Sequence, residues 1–79
     1  MAAASDFING IPLWALSHLG NQVSLTRTFD EYGDGLCVWP AGMAGTLDAI
    51  QAGEGSPHAV VELDLGNLVN VPFAILEAV

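Results

Sequence analysis

Residues 58 to 75 read HAVVELDLGNLVNVPFAI, two alternating apolar runs on either side of a Gly-Asn step. Ala59, Val61, Leu63 and Leu65 alternate with His58, Val60, Glu62 and Asp64. Val69, Val71, Phe73 and Ile75 alternate in the same way with Asn70, Pro72 and Ala74. Successive side chains of a strand point to opposite faces, so this pattern calls for a half-buried C-terminal hairpin. A loop of Gly66-Asn67-Leu68 sets Leu65 opposite Val69, Leu63 opposite Val71 and Val61 opposite Phe73, with every apolar partner on one face. A tighter Gly-Asn turn opposes Leu63 to Asn70 and mixes the faces. The competing reading makes Asn70 an N-cap and Pro72 an early residue of a terminal helix, VPFAILEAV. The strand is preferred. Because Pro72 has no N–H to give a ladder, that strand is expected at an edge or with a bulge.

The preceding residues carry two helix signals and a second hairpin. Residues 1–5 read as a flexible N-terminus. In GIPLWALSHLGN, Pro12 suits a first helical position, Leu13, Leu16 and Leu19 recur at helical spacing, and Gly20 stands where a left-handed residue ends a helix. VSLTRTF alternates and is rich in β-branched residues, and LCVW is a short run stopped by Pro40. Between them, Tyr32-Gly33-Asp34-Gly35 tolerates positive φ and reads as a hairpin turn. In PAGMAGTLDAIQAGEG the period changes, with Met43, Leu47 and Ile50 spaced four and three apart, as on a second short helix ended by Gly53 and Gly55. The expected fold is therefore α+β in a single domain over residues 1–79. A short N-terminal helix, a β-hairpin, a second short helix and a C-terminal β-hairpin pack as one sheet under two helices. The alternative is a small, mostly β barrel.

Charge narrows the chemistry. Arg27 is the only cation among Lys and Arg, against nine Asp and Glu, for a formal net charge of −8. Nucleic-acid binding draws its affinity from cations that neutralise phosphates, so direct binding is not expected. Anionic membranes are set aside on the same ground. Without lysine there is no Schiff-base or phosphate-loop chemistry. The start MAAASDFING lacks the features of a signal peptide, and no apolar run approaches the length of a membrane span. A single cysteine fits a reducing compartment. The expectation is a cytoplasmic protein, or one carried in a virion.

Set on a calcium loop, Asp30, Tyr32, Asp34 and Gly35 occupy the first, third, fifth and sixth positions, but Ala41 stands where a bidentate Glu is required. Cys37 has acids as its charged neighbours, which disfavour the thiolate, and one Cys with two distant His cannot form a standard zinc set. His18 sits where a helix dipole welcomes a cation, and His58 follows Ser56-Pro57 at the start of a strand. Ser17 and His18 with Asp6 resemble a triad in composition only, since adjacent helical residues diverge. The GDG and GEG steps carry an acid where a phosphate would sit. No catalytic residue, cofactor or metal is expected.

Composition gives the positive lead. Of the 79 residues, 52% are hydrophobic and only 13% charged, about half the charge of a typical soluble domain. A small domain has proportionally more surface to cover, so part of it is expected to be buried by protein partners. The expected function is a non-catalytic assembly or interaction protein, a small homo-oligomeric subunit docking through apolar edge strands, such as a phage decoration or connector component. Its interface would draw on Trp14, Trp39, Val71, Phe73, Ile75, Leu76 and Val79. One alternative is an acidic inhibitor imitating DNA charge. Another is a small enzyme whose site, using His58, Asp30 and Asp34, is shared between subunits.

Overall fold

The computed structural model describes residues 7–52, 55–63 and 66–79. Two short strands open it, β1 (Phe7–Ile8) and β2 (Ile11–Pro12), followed by the helix α1 (Leu13–Leu16). Then come β3 (Gln22–Leu25), β4 (Phe29–Asp30), β5 (Val38–Trp39), β6 (Ala44–Gln51), β7 (His58–Leu63) and β8 (Asn67–Val71). A 3-10 turn at Phe73–Ile75 leads into β9 (Leu76–Ala78).

The body is one five-stranded antiparallel sheet in the order β8-β7-β6-β3-β9. Only residues 72–75 connect its two edge strands, and three of them lie in a 3-10 turn, which rises about 2 Å per residue. In a flat sheet, four steps of about 4.8 Å would hold those edges roughly 19 Å apart. The sheet must curl to bring them within reach, yet β8 and β9 do not pair. It is an open, curled sheet.

Its concave side holds the core. Val69, Val61 and Leu47 lie side by side across β8, β7 and β6, all fully buried. Val23, Leu25, Ala59, Leu63, Val71 and Leu76 extend this layer, and Ile11, Ala15, Phe73 and Ile75 close its open side. The outward face is mixed: Glu62 pairs with Thr46 and Thr46 with Gln22, and Ser24 pairs with Glu77, while Leu68 stands exposed beside Glu62.

The expected α+β arrangement is not what forms. Strands make up 49% of the structure and helical turns 10%, and the single α-helix is four residues long. The second expected helix is strand β6. Its helical spacing has a specific origin: the register slips between Leu47 and Ala49, leaving Asp48 as the extra residue of a β-bulge. The bulge turns Ile50 to the same face as Leu47, so apolar residues three apart in a strand mimic a helix stripe. The barrel alternative is not met either, since the sheet stays open.

The remaining differences are smaller. The expected hairpin partners VSLTRTF and LCVW separate into β3, which joins the main sheet, and a two-stranded ladder of β4 with β5. The C-terminal hairpin forms with Val61 opposite Val69 and Ala59 opposite Val71, so the partner of each residue lies four positions earlier than expected and the loop falls before Asn67. That shift keeps the apolar face, because it moves the pairing by an even number of residues. Leu65 lies outside the described residues. Beyond Val71 the chain neither stays in that hairpin nor forms a terminal helix; Pro72 ends β8 and β9 pairs with β3 on the far edge.

Candidate docking groove

Asn9 and Gly10 both take positive φ, +53° and +81°, and join β1 to β2 as a two-residue hairpin. Asn-Gly between apolar neighbours is a strong hairpin signal, and it was the sequence feature that could have located this element. The hairpin runs straight into α1 through Pro12, which stands as N-cap with extended backbone rather than inside the helix. With only Leu13–Leu16 helical, the leucine stripe does not face the core. Ala15 is fully buried there, whereas Leu13, Leu16 and Leu19 are exposed, as are Phe7 and Ile8. These five are between 39% and 51% accessible.

Phe7 also lines a groove of about 670 Å³. Phe7, Pro12 and Trp14 form one wall, Ser56 and Pro57 a second, and Pro72 with Phe73 a third. Gly10 also lines it, and a Cβ added there would rest 3.4 Å from the Pro57 ring. Trp14 is half-buried, with its edge toward His18 at 6.1 Å between ring centroids. His18 Nε2–H donates to the Gln22 carbonyl at 2.9 Å, which ties the turn after α1 to β3. Trp14 donates its indole N–H to no described residue.

The other singled-out residues lie elsewhere. In the excursion between β3 and β6, Asp30 accepts the Gly33 N–H at 3.0 Å on one oxygen and the Gly35 N–H at 2.9 Å on the other. Asp34 accepts the Leu36 N–H at 2.9 Å, and Gly33 and Gly35 both take positive φ. These carboxylates fold their own loop, which forms the tip of the β4–β5 ladder. Among the described residues no group of three or more His, Cys, Asp or Glu is placed to hold a metal. Cys37 is half-buried beside this loop, and its carbonyl accepts the Glu31 N–H. Repulsion from the Glu31 carboxylate is the largest cause holding the exposed Tyr32 phenol above its ordinary value.

Of the expected interface residues, Trp14 and Phe73 meet at the groove. Val71, Ile75 and Leu76 are buried in the core of the chain itself, and Phe73 is largely so. Trp39 is half-buried, with its indole N–H donating to Glu31 at 3.4 Å, and Val79 is 69% exposed beyond β9. His58 reaches the Ser56 carbonyl at 3.4 Å, at the base of the loop that walls the groove. Asp6, Glu54 and Asp64 lie outside the described residues. No helix among the described residues is long and apolar enough to cross a membrane. Compared with known proteins, the chain matches no family model, no curated protein and no solved structure.

Proposed function

We propose that this chain is a non-catalytic interaction protein that docks a partner protein on the groove and on the exposed side chains of residues 7–19. One observation carries the reading: five large hydrophobic side chains stand exposed within residues 7–19, a stretch that also supplies Phe7, Pro12 and Trp14 to a ring-lined groove. Contiguous apolar surface is costly to leave in water and marks interaction sites. A small subunit of a larger cytoplasmic or virion assembly is the setting such a surface suits. Strand β8 is a second docking edge, since Leu68 is exposed on it and the chain has no lysine to guard it.

The acidic-inhibitor alternative draws on the net charge of −8. Against it, Asp30 and Asp34 are turned to their own loop amides, and Glu62 and Glu77 are set apart on β7 and β9 with β6 and β3 between them. The shared-site alternative draws on Asp30, whose two oxygens each accept a loop amide.

Site-specific photo-crosslinking in lysate of the source cells tests the reading. A crosslinker at Leu16 should capture a discrete partner, and one at Glu77, exposed on β9 at the sheet edge away from β8, should not. Capture from Glu77 alone would overturn the proposal.

A further inference from the structure

The groove has a recognition chemistry of its own. Six of its nine lining residues carry rings: Phe7, Trp14 and Phe73, and the prolines Pro12, Pro57 and Pro72. The three prolines have no N–H, so this wall offers no ladder of donors for an added β-strand. What it does offer is the Trp14 indole N–H, which no described residue accepts, whereas the Trp39 indole N–H is taken by Glu31. Ser56 adds a hydroxyl to the same lining.

A ligand suited to these walls presents stiff apolar ridges, needs few donors in return, and brings carbonyl acceptors. A polyproline II segment has these properties. It has no internal hydrogen bonds, so its carbonyls are free to accept, and its rigid backbone loses little entropy on docking. Aromatic-lined grooves are the general receptor for such segments.

Charge selects the source. None of the groove's lining residues is charged, but the chain as a whole carries a net −8 with Arg27 as its one Arg or Lys, so the field of the molecule repels a second copy. A partner with Arg or Lys beside its prolines is attracted. Resting on the docking reading above, we infer that the groove takes a proline-rich segment of a basic partner protein, with the Trp14 indole N–H donating to one of its carbonyls.

The probe is a synthetic oligoproline peptide with arginine at both ends, titrated into the full chain and followed by the two indole N–H signals in NMR. The Trp14 signal should move saturably while that of Trp39 stays. Trp14→Phe, which keeps a ring and removes the donor, should weaken binding about fivefold by calorimetry, the loss of one neutral hydrogen bond. Glutamate ends in place of arginine should weaken it as well. Equal binding of an arginine-ended Gly/Ser peptide, a response at Trp39 instead, or a doubling of mass by light scattering would each overturn the inference. If oligoproline fails while Leu16 still crosslinks a partner, the inference falls and the docking reading stands. Failure of both removes both.

Discussion

The curled sheet and the excursion between β3 and β6 are both antiparallel β, but different forces hold them. In the sheet, Val61, Val69 and Leu47 touch no water, and their register follows from what they bury. In the excursion, β4 and β5 share only Phe29 opposite Trp39, which pack against the edge of the core, and Asp30 opposite Val38, while the loop beyond, with Tyr32 and Leu36, stands in solvent. There the shape is set by side chains bonding nearby backbone, with Asp30 holding Gly33 and Gly35. Strand geometry alone therefore does not identify where stability resides. The difference is whether partners are distant and apolar or near and polar.

Equivalent truncations in the two regions give the largest contrast. Leu47→Ala removes a fully buried side chain from the centre of the sheet and leaves a cavity, costing about 2–5 kcal/mol. That is a large share of the roughly 5–15 kcal/mol that stabilises an ordinary domain. Val38→Ala, on an exposed strand of the excursion, should change stability by less than about 0.5 kcal/mol. Urea denaturation of both variants checks the pair. Similar losses would show that the excursion belongs to the cooperative core.

A smaller effect, but a more specific one, is expected at Gly45. A Cβ there would lie 2.5 Å from the Glu62 carbonyl oxygen and under 3 Å from Leu63 and Val61. The nearest atom is backbone and cannot rotate away. Replacing Gly with Ala ordinarily gains about 0.4–1 kcal/mol by restricting the unfolded chain. Overpacking costs about 1–3 kcal/mol and should win. Gly45→Ala is therefore expected to lower the melting temperature, whereas Gly33→Ala would be strained by its φ of +74° with no neighbour in the way. A Gly45→Ala protein as stable as the parent would mean that β6 and β7 can separate without loss.

The same division decided what could be read from sequence. The turn at Tyr32–Gly35 was legible because everything that makes it, the glycines and the carboxylates that cap them, lies within a few residues. The β6 assignment failed because its partners on β3 and β7 are distant in sequence and a bulge at Asp48 shifted its apolar phase. Alternation in β7 and β8 was read correctly and their register was not, since a shift by an even number of residues preserves every face. At the groove, Trp14 and Phe73 were singled out for size and apolar character, but nothing local in the sequence links them. Their meeting depends on Pro72 and the 3-10 turn carrying the chain from one sheet edge to the other.

The smallest expected effect tests whether the excursion holds its acids close without involving the sheet. Tyr32 is the chain's only tyrosine, so its ionisation can be followed directly by tyrosinate absorbance. Its pKa is raised above the ordinary value of 10.0, first by the Glu31 carboxylate, which disfavours a second negative charge beside it, and next by desolvation. Glu31→Gln removes the largest cause while keeping a group that can accept the Trp39 indole N–H, so the Tyr32 pKa should fall toward 10.0. Added salt should produce a smaller fall in the parent, because the two groups lie within the Debye length of about 10 Å at 0.1 M and are only partly screened. The melting temperature near neutral pH should not move, since neither side chain touches the buried layer of the sheet. A Tyr32 titration unchanged by Glu31→Gln and by salt would place the two groups further apart in solution than the loop hydrogen bonds imply. A drop in melting temperature would instead couple the excursion to the core, and the contrast between the two regions would lose its physical basis.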